Sequence, residues 1–248
     1  MQVSVSLLPS EQTVDSTIQL AVVIDVLRAT SVMTTALANG AQKFVTCQSI
    51  DEAKSLANST DSRPLLCGER ECKRIDGFDL GNSPAEYSAD VVKDRSLVLT
   101  TTNGTNAIEA GRDVPKMIVA SFLNLSAVVS NVCRFDSVHL ICAGTNGRVT
   151  TEDVLLAGAI IGQAERAKEL TLANDDATLA RELWQSWFAG AVPTQQSLAS
   201  RLGQTQGGRN LIRVGYDRDL DLCAAIDSMD VVPVRTGVGP SEFLLAEV

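Results

Sequence analysis

The chain has 248 residues, of which 45% are hydrophobic and 4% aromatic, and its formal net charge is −9. This length and composition fit one large α/β domain, and no linker rich in Pro, Gly or Ser divides residues 1–248. The negative charge without a basic stripe argues against a nucleic-acid partner. Because no apolar run reaches the length of a membrane span, we expect no membrane partner either.

The positions of the cysteines and the number of histidines argue against two kinds of metal site, one built from cysteines and one built from histidines. The six cysteines are scattered without metal-ligand spacing, and most lie in apolar runs. We therefore expect buried, reduced thiols and a cytoplasmic protein. A zinc site built from several histidines is excluded because His139 is the only histidine. His139 begins a predicted strand, which favours a structural role.

Apolar runs alternate with helical patterns over the first 143 residues. The run at residues 19–26 is nearly continuous, as in a strand buried on both faces. Thr30 or Ser31 is predicted to cap a helix that ends at Asn39-Gly40. This alternation predicts an α/β fold of three layers, α/β/α, with a mostly parallel or mixed sheet. Further strands are predicted at 1–7, 43–47, 64–67, 97–101, 117–120 and 138–143, with helices at 50–58, 105–110 and 125–132.

The last third of the chain is mainly helical. Apolar residues recur at helical spacing from Glu152 to Leu170. Helical patterns continue at about 176–190, 197–202 and 208–225, and we expect these extra helices to cover one side of the sheet. The run at 230–235 is predicted to be an edge strand, because Pro233 cannot donate a hydrogen bond to a central ladder.

A loop rich in charge follows the predicted strand at 64–67. Residues 66–84 hold three basic residues, four carboxylates and three glycines without a regular period. A loop this long in a compact domain is usually functional or disordered, and charges interleaved with glycines favour function. Asn82 or Ser83 before Pro84 predicts a helix start, whose N–H groups would face an anion.

Two carboxylates are candidates for chemistry because they follow predicted strands. Asp25 leaves one strand for a helix, and Glu69 comes directly after another. Mg²⁺ typically takes one or two carboxylates together with water and substrate oxygens, so we interpret Asp25 and Glu69 as magnesium ligands. The structural alternative for Asp25 is an ion pair with Arg28.

Thr-Asn-Gly occurs twice after predicted strands, at 102–104 and 145–147. Ligands of α/β sheets gather at the carboxyl ends of strands, so both loops are candidates for binding phosphate or sulfonate oxygens. Ordinary tight turns are the alternative.

The pair Glu152-Asp153 and the spacing Cys142-x5-Arg148 each have two interpretations. Thr150 with Asp153 fits a capping box, and the same carboxylates could instead hold a metal or activate water. The cysteine–arginine spacing occurs in cysteine-dependent phosphatases. Here no histidine precedes Cys142, which lies within a predicted strand, so a cysteine mechanism is disfavoured.

Four segments together resemble the 2-phosphosulfolactate phosphatase family: residues 24–31, residues 68–70 followed by 77–84, residues 100–105, and residues 142–145 with Glu152-Asp153. The resemblance implies a magnesium-dependent phosphatase with its own α/β/α fold. It also implies hydrolysis of 2-phospho-3-sulfolactate to 3-sulfolactate and phosphate, a step toward coenzyme M. Glu71-Cys72, Asn146 and Arg148 depart from the family's usual residues.

On this basis we expect Mg²⁺ as cofactor and a small anionic phosphorylated substrate, and a homo-oligomer is left open. Water attack and an aspartyl-phosphate also stay open. A phosphatase for another small phosphorylated hydroxy acid and a non-catalytic anion-binding protein are the alternatives. The expected catalytic residues are Asp25, Glu69 and Asp153, and the expected metal ligands are Asp25, Glu69 and Glu152. Expected substrate contacts are Arg28, Thr30, Arg70, Arg74, Asn82, Ser83, Thr102, Asn103, Gly104, Thr105, Gly144 and Thr145.

Overall fold

A single mixed sheet of eleven strands organises the chain in the computed structural model, which describes residues 1–9, 17–60, 62–189, 191–237 and 241–245. The strands are β1 (Gln2–Ser6), β2 (Leu20–Ile24), β3 (Lys43–Thr46), β4 (Leu65–Arg70), β5 (Lys73–Arg74), β6 (Ser96–Thr100), β7 (Lys116–Ala120), β8 (Ser137–Cys142), β9 (Thr171–Leu172), β10 (Pro233–Thr236) and β11 (Glu242–Leu245). Their order across the sheet is β5-β4-β6-β3-β11-β10-β7-β2-β8-β1-β9.

Helices cover both faces of this sheet. They are α1 (Ala29–Ala38), α2 (Ile50–Asn58), α3 (Ala89–Val92), α4 (Gly104–Ala110), α5 (Leu125–Val132), α6 (Thr151–Ala167), α7 (Asp175–Phe188), α8 (Gln195–Leu202), α9 (Gln206–Arg213) and α10 (Arg218–Cys223). Across the described ranges, no helix combines the length and the apolar character that crossing a bilayer requires.

The central strand β2 shows how the layers form. All five of its residues are buried. Leu20, Val22 and Ile24 pack into a core with residues of α5 to α10, whereas Ala21 and Val23 point into a second core with α1 and α4. Strand side chains alternate between faces, so a run that is apolar at every position requires cover on both sides. The predicted three-layer α/β fold is confirmed, and the late helices share one face.

The predicted edge strand at 230–235 is wrong. β10 lies between β7 and β11 and is antiparallel to both. Pro233 is its first residue, a position where the missing N–H is tolerated even inside a sheet. The partner strand β11 and the short β9 were not predicted, since they are only four and two residues long.

The predicted cap of the first helix is also wrong. Thr30 and Ser31 lie inside α1, whose N-cap is Arg28. Their hydroxyls donate instead to the carbonyls of Asp25 and Val26, at 2.8 Å each. This tightens the turn from β2 into α1. The predicted stop at Gly40 is confirmed, with a φ of +91°.

Three further boundaries differ from the prediction. β4 continues through Arg70 and pairs with β5, so the charged loop begins as a hairpin. No α-helix starts at Asn82 or Ser83, because residues 84–86 form only a 3₁₀ turn. The pattern at 208–225 is two helices, α9 and α10, and the predicted helix end at Gly190 falls outside the described residues.

Candidate functional site

A small polar pocket opens at the carboxyl ends of β2, β4 and β6, where α/β sheets commonly bind ligands. Six of the residues predicted for the site line it together, although they come from five separate segments of sequence: Asp25, Arg28, Glu69, Asn82, Asn103 and Thr145. The other lining residues are Leu27, Cys72, Gly207 and Asn210.

Asp25 follows β2 and is buried. Its Oδ1 accepts a hydrogen bond from the N–H of Ala29 at 3.2 Å. Burial, followed by repulsion from Glu69 and Glu152, raises the pKa of Asp25 to about 7, although the Ala29 bond lowers it. The backbone of Gly104 lies against Oδ2, because a Cβ there would come within 2.7 Å of it. A nearby cation would favour the charged form of a carboxylate that is buried and lies near other carboxylates.

Glu69 is the next-to-last residue of β4. Its carboxylate accepts three hydrogen bonds. Its Oε1 accepts from the N–H and the hydroxyl of Thr102, each at 2.9 Å. Its Oε2 accepts from the N–H of Cys72 at 2.8 Å. Such bonds to backbone and hydroxyl donors fix the orientation of a carboxylate. Glu69 therefore points into the pocket without needing a side-chain cation.

Glu152, in the first turn of α6, is the least satisfied of these carboxylates. It is buried, and its Oε2 has no hydrogen-bond partner among the described residues. Burial raises its pKa, although hydrogen bonds from its own backbone, from Thr205 and from Gly207 lower it in part. The backbone of Gly207 packs directly against its Oε1, where a Cβ would collide. A buried carboxylate oxygen without a hydrogen-bond partner costs desolvation free energy, which a ligand bound to that oxygen would offset.

Asp153, unlike Glu152, has both carboxylate oxygens bonded to backbone N–H groups. Its Oδ1 accepts from the N–H of Val26 and its Oδ2 from the N–H of Gly144, both at 2.9 Å. The side chain thus ties the end of β2 to the end of β8. Burial and the charges of Asp25 and Glu152 raise its pKa well above the usual range. The predicted capping box is not formed: Thr150 is the N-cap, but its hydroxyl donates to Asp153 at 3.3 Å rather than accepting a cap bond.

Arg28 lies in the pocket wall, and its ion pair is not with Asp25. Its Nη1 donates to Oδ2 of Asp219 at 2.6 Å, and both side chains are almost fully buried. Its Nη2 donates to the carbonyl of Cys72 at 2.9 Å. The structural alternative for Asp25, an ion pair with Arg28, is therefore not the arrangement found.

Eight of the other predicted binding residues divide into three groups. Asn82 and Asn103 face the pocket, and Oδ1 of Asn82 has no partner among the described residues. Thr30, Ser83, Thr105 and Gly144 are buried and bonded within the protein, to Asp25, Asp219, Thr101 and Asp153 respectively. Arg70 and Arg74 donate hydrogen bonds to neighbouring residues of the protein, Arg70 to the hydroxyl of Thr100 and Arg74 to the carbonyl of Asp79.

The donor chemistry of the pocket fits a hard divalent cation. Within the described residues, no group of three or more His, Cys, Asp or Glu side chains is arranged to hold a metal ion by itself. Magnesium rarely needs such a group, because it keeps several waters and takes one or two carboxylates. A bound cation would offset the repulsion that Glu69 and Glu152 exert on Asp25.

His139 and Cys142 lie outside this chemistry. Nδ1 and Nε2 of His139 hydrogen-bond to the hydroxyls of Ser4 and Ser6, at 2.6 and 2.9 Å, so it joins β8 to β1 as predicted. Cys142 ends β8 within the core, and burial raises its pKa well above the usual range. A thiol of this kind is a poor nucleophile.

The sequence did not indicate the pocket residues of the last third. Gly207 and Asn210 come from α9, and Asp219 from α10. None of them follows a strand or belongs to a recognisable motif. Tertiary packing alone brings Gly207 and Asn210 to the pocket and Asp219 to Arg28 in its wall.

Comparison with known proteins identifies related chains. The profile of the 2-phosphosulpholactate phosphatase family matches residues 6–237. The chain is 41% identical over 213 residues to a probable 2-phosphosulfolactate phosphatase of Thermotoga petrophila, covering 86% of this chain and 87% of that protein. It is 36% identical over 245 residues to one of Parasynechococcus marenigrum, covering 96% and 98%.

Proposed function

The chain belongs to the 2-phosphosulfolactate phosphatase family, and we propose from that membership that it hydrolyses 2-phospho-3-sulfolactate to 3-sulfolactate and phosphate. Its enzyme class is that of a phosphatase acting on phosphate monoesters. A non-catalytic anion-binding role is accordingly no longer favoured. The product would enter sulfonate metabolism, such as the formation of coenzyme M.

The observation that supports this chemistry is the crowding of buried carboxylates beside Arg28. We propose that the site uses Mg²⁺, held by Asp25 and Glu69 together with water and substrate oxygens. Glu152, the third ligand expected from the sequence, is not arranged with these two carboxylates to hold one ion, and in this proposal it adds negative charge near Asp25. When bound, the ion would neutralise phosphoryl oxygens and help to generate or orient the attacking group. Without such a cation, this net negative pocket would repel a substrate that carries several negative charges.

The residues of the chain have separate tasks in this proposal. Arg28 presents guanidinium N–H groups to the phosphoryl oxygens, and Asn82 and Asn103 add amide groups. Thr102 keeps Glu69 oriented through two hydrogen bonds. Positioning and charge neutralisation of this kind account for most catalysis of phosphoryl transfer. Asp25 either orients water or attacks phosphorus itself, and both routes are compatible with its position.

Cys72 supports a second candidate, a phosphatase for a different small phosphorylated hydroxy acid. Glu71 and Cys72 adopt left-handed φ values of 54° and 65°, a conformation that favours glycine. The Cys72 side chain lines the pocket, so it narrows the space for the part of the substrate that does not react.

The test is phosphate release from 2-phospho-3-sulfolactate and from other phosphorylated hydroxy acids, each with magnesium and with EDTA. We expect release only with magnesium, fastest from the sulfonate. Faster release from another ester would favour the second candidate. Release that EDTA leaves unchanged would refute the magnesium site, and no release from any ester would refute the activity.

Asp25→Asn tests the metal assignment directly. We expect its kcat to fall by about 100-fold or more, because the ligand charge is lost. Asp136→Asn is the matched control, since the Asp136 side chain is 84% exposed and lies before β8, at the opposite edge of the sheet. Full turnover by Asp25→Asn would contradict the assignment.

A further inference from the structure

α10 places a buried carboxylate behind the pocket wall. Asp219 is only 2% exposed, and it lies 191 residues away from Arg28 in the sequence. Its Oδ2 accepts from Arg28 at 2.6 Å and its Oδ1 accepts from the hydroxyl of Ser83 at 2.6 Å. Both of its oxygens are thus engaged, one by the pocket arginine and one by Ser83 near the end of the charged loop.

Arg28 is restrained on its other sides as well. Nη2 donates to the carbonyl of Cys72 at 2.9 Å, and the guanidinium carbon lies 4.4 Å from the centre of the Tyr216 ring. A guanidinium has five N–H donors in a rigid plane, and the two bonds described use two of them. The plane is therefore fixed while further donors remain for a ligand.

Stability alone does not explain this arrangement. A buried ion pair is weak evidence for stabilisation, because desolvating both charges offsets much of their attraction. Arg28 also lines the polar pocket, where its orientation bears on ligand binding. The Asp219 carboxylate accepts two short hydrogen bonds, one of them from Arg28. A carboxylate held in this way behind an arginine orients the guanidinium for binding.

We propose that Asp219 is a positioning residue, which holds the guanidinium of Arg28 in the orientation that donates to an oxygen of the phosphoryl group. The choice of a phosphoryl group as the ligand rests on the proposed function, whereas the fixing of Arg28 does not. Asp219 makes no contact with the substrate in this arrangement and acts only through Arg28.

A double-mutant cycle with Asp219→Asn and Arg28→Gln separates positioning from structural support. We expect Asp219→Asn to lower kcat/KM by about 10- to 100-fold, the scale of a misplaced binding group. In the Arg28→Gln background the same change should lower kcat/KM no further. Independent losses that multiply would overturn the proposal.

Binding of inorganic phosphate, measured by calorimetry in the presence of magnesium, gives a readout that does not need turnover. We expect the Kd for phosphate to rise by about tenfold or more in Asp219→Asn, since a charge-assisted bond is lost. An unchanged Kd would overturn the proposal. Val128→Ala is the control, because Val128 of α5 is fully buried in the core and its truncation lowers stability without touching the pocket.

Two outcomes keep this proposal distinct from the proposed function. If the native protein hydrolyses no ester but binds phosphate, and Asp219→Asn weakens that binding, the positioning role stands and the activity fails. If the native protein is active and Asp219→Asn matches it, the positioning role fails alone. Should Asp219→Asn not fold, Ser83→Ala removes one of the two bonds to Asp219, and its smaller loss of kcat/KM should likewise vanish in Arg28→Gln.

Discussion

The tripeptide Thr-Asn-Gly follows two strands of the sheet, as residues 102–104 after β6 and residues 145–147 after β8. In the first loop Gly104 is buried against Asp25, and Thr102 donates twice to Glu69. In the second loop residues 146–147 are exposed, and Thr145 pairs with Arg148 in a tight turn. The same three residues thus form a carboxylate-holding loop in one place and a surface turn in the other.

The difference shows how the contacts of a loop distinguish a candidate binding loop from an ordinary tight turn. A loop of the first kind contacts buried carboxylates, here Asp25 and Glu69. A loop of the second kind satisfies its own backbone, with Asn146 and Gly147 at left-handed φ values of 53° and 69°. The contacts therefore favour a binding role for the first loop, which stays a prediction, and show a tight turn in the second, although Thr145 also lines the pocket.

Replacing the glycines should separate the loops most clearly. In Gly104→Ala the new Cβ would lie 2.6 Å from Cβ of Ala29 and 2.7 Å from Oδ2 of Asp25, so Asp25 must move. We expect kcat to fall by about 100-fold or more, as for a misplaced catalytic group.

Gly147→Ala is the matched control for the glycine comparison. Nothing lies within 4 Å of its new Cβ, so only the left-handed backbone opposes it, by about 1 kcal/mol. Its kcat should stay within a few-fold of the native value. Steady-state kinetics and thermal unfolding of both variants measure this, and equal losses would erase the distinction between the loops.

Acid should weaken the strand that leads into the second loop. Burial lowers the pKa of His139 to about 4 from 6.5, so the folded state favours neutral imidazole. That stability is complete above the unfolded pKa of 6.5 and is lost as pH falls toward 4. We expect a loss on the order of 2 kcal/mol in the free energy of unfolding.

Urea titrations between pH 7 and pH 4 of the native protein and His139→Gln measure this loss. Subtracting the two profiles removes the contribution of carboxylates, and His139 is the only histidine. Parallel profiles would show that His139 is not held neutral by the fold.

The hydroxyl of Thr102 gives a smaller effect. Thr102→Val removes the hydrogen bond to Oε1 of Glu69 at 2.9 Å but keeps the size of the side chain. Since a hydrogen bond to a charged group contributes about 1.5–3 kcal/mol, we expect kcat/KM to fall by about tenfold. Thr102→Ser, which retains the hydroxyl, should restore it. Thr145→Val should lower kcat/KM less, and a larger loss there would reverse the ranking of the loops.

The bond that joins the two loops should contribute least. Oδ1 of Asn103 accepts from the N–H of Asn146 at 2.9 Å, in an exposed setting. We expect Asn103→Ala to change the free energy of unfolding by less than about 1 kcal/mol. Hydrogen exchange of the Asn146 amide should nevertheless become faster. Unchanged exchange would indicate that the second loop is ordered without the first.

Much of the fold could be predicted because its signals are local. Helices α2 and α5 begin and end as predicted, at Ile50–Asn58 and Leu125–Val132. Apolar runs located the strands, and Asp25 and Glu69 were found because they stand at strand ends. Short elements such as β9 have too few residues for a pattern. The position of β10 inside the sheet was missed because it depends on two long-range pairings, of β10 with β7 and of β11 with β3.

The sequence by itself determined the family, the alternation of strands and helices, and the carboxylates at the strand ends. Only the tertiary structure decided which of two identical tripeptides holds Glu69, that Arg28 pairs with Asp219, and that residues of α9 line the pocket. The physical reason is the range of the forces involved. Periodicity and turn chemistry act over a few neighbouring residues, whereas burial and ion pairing join groups as much as 191 residues apart.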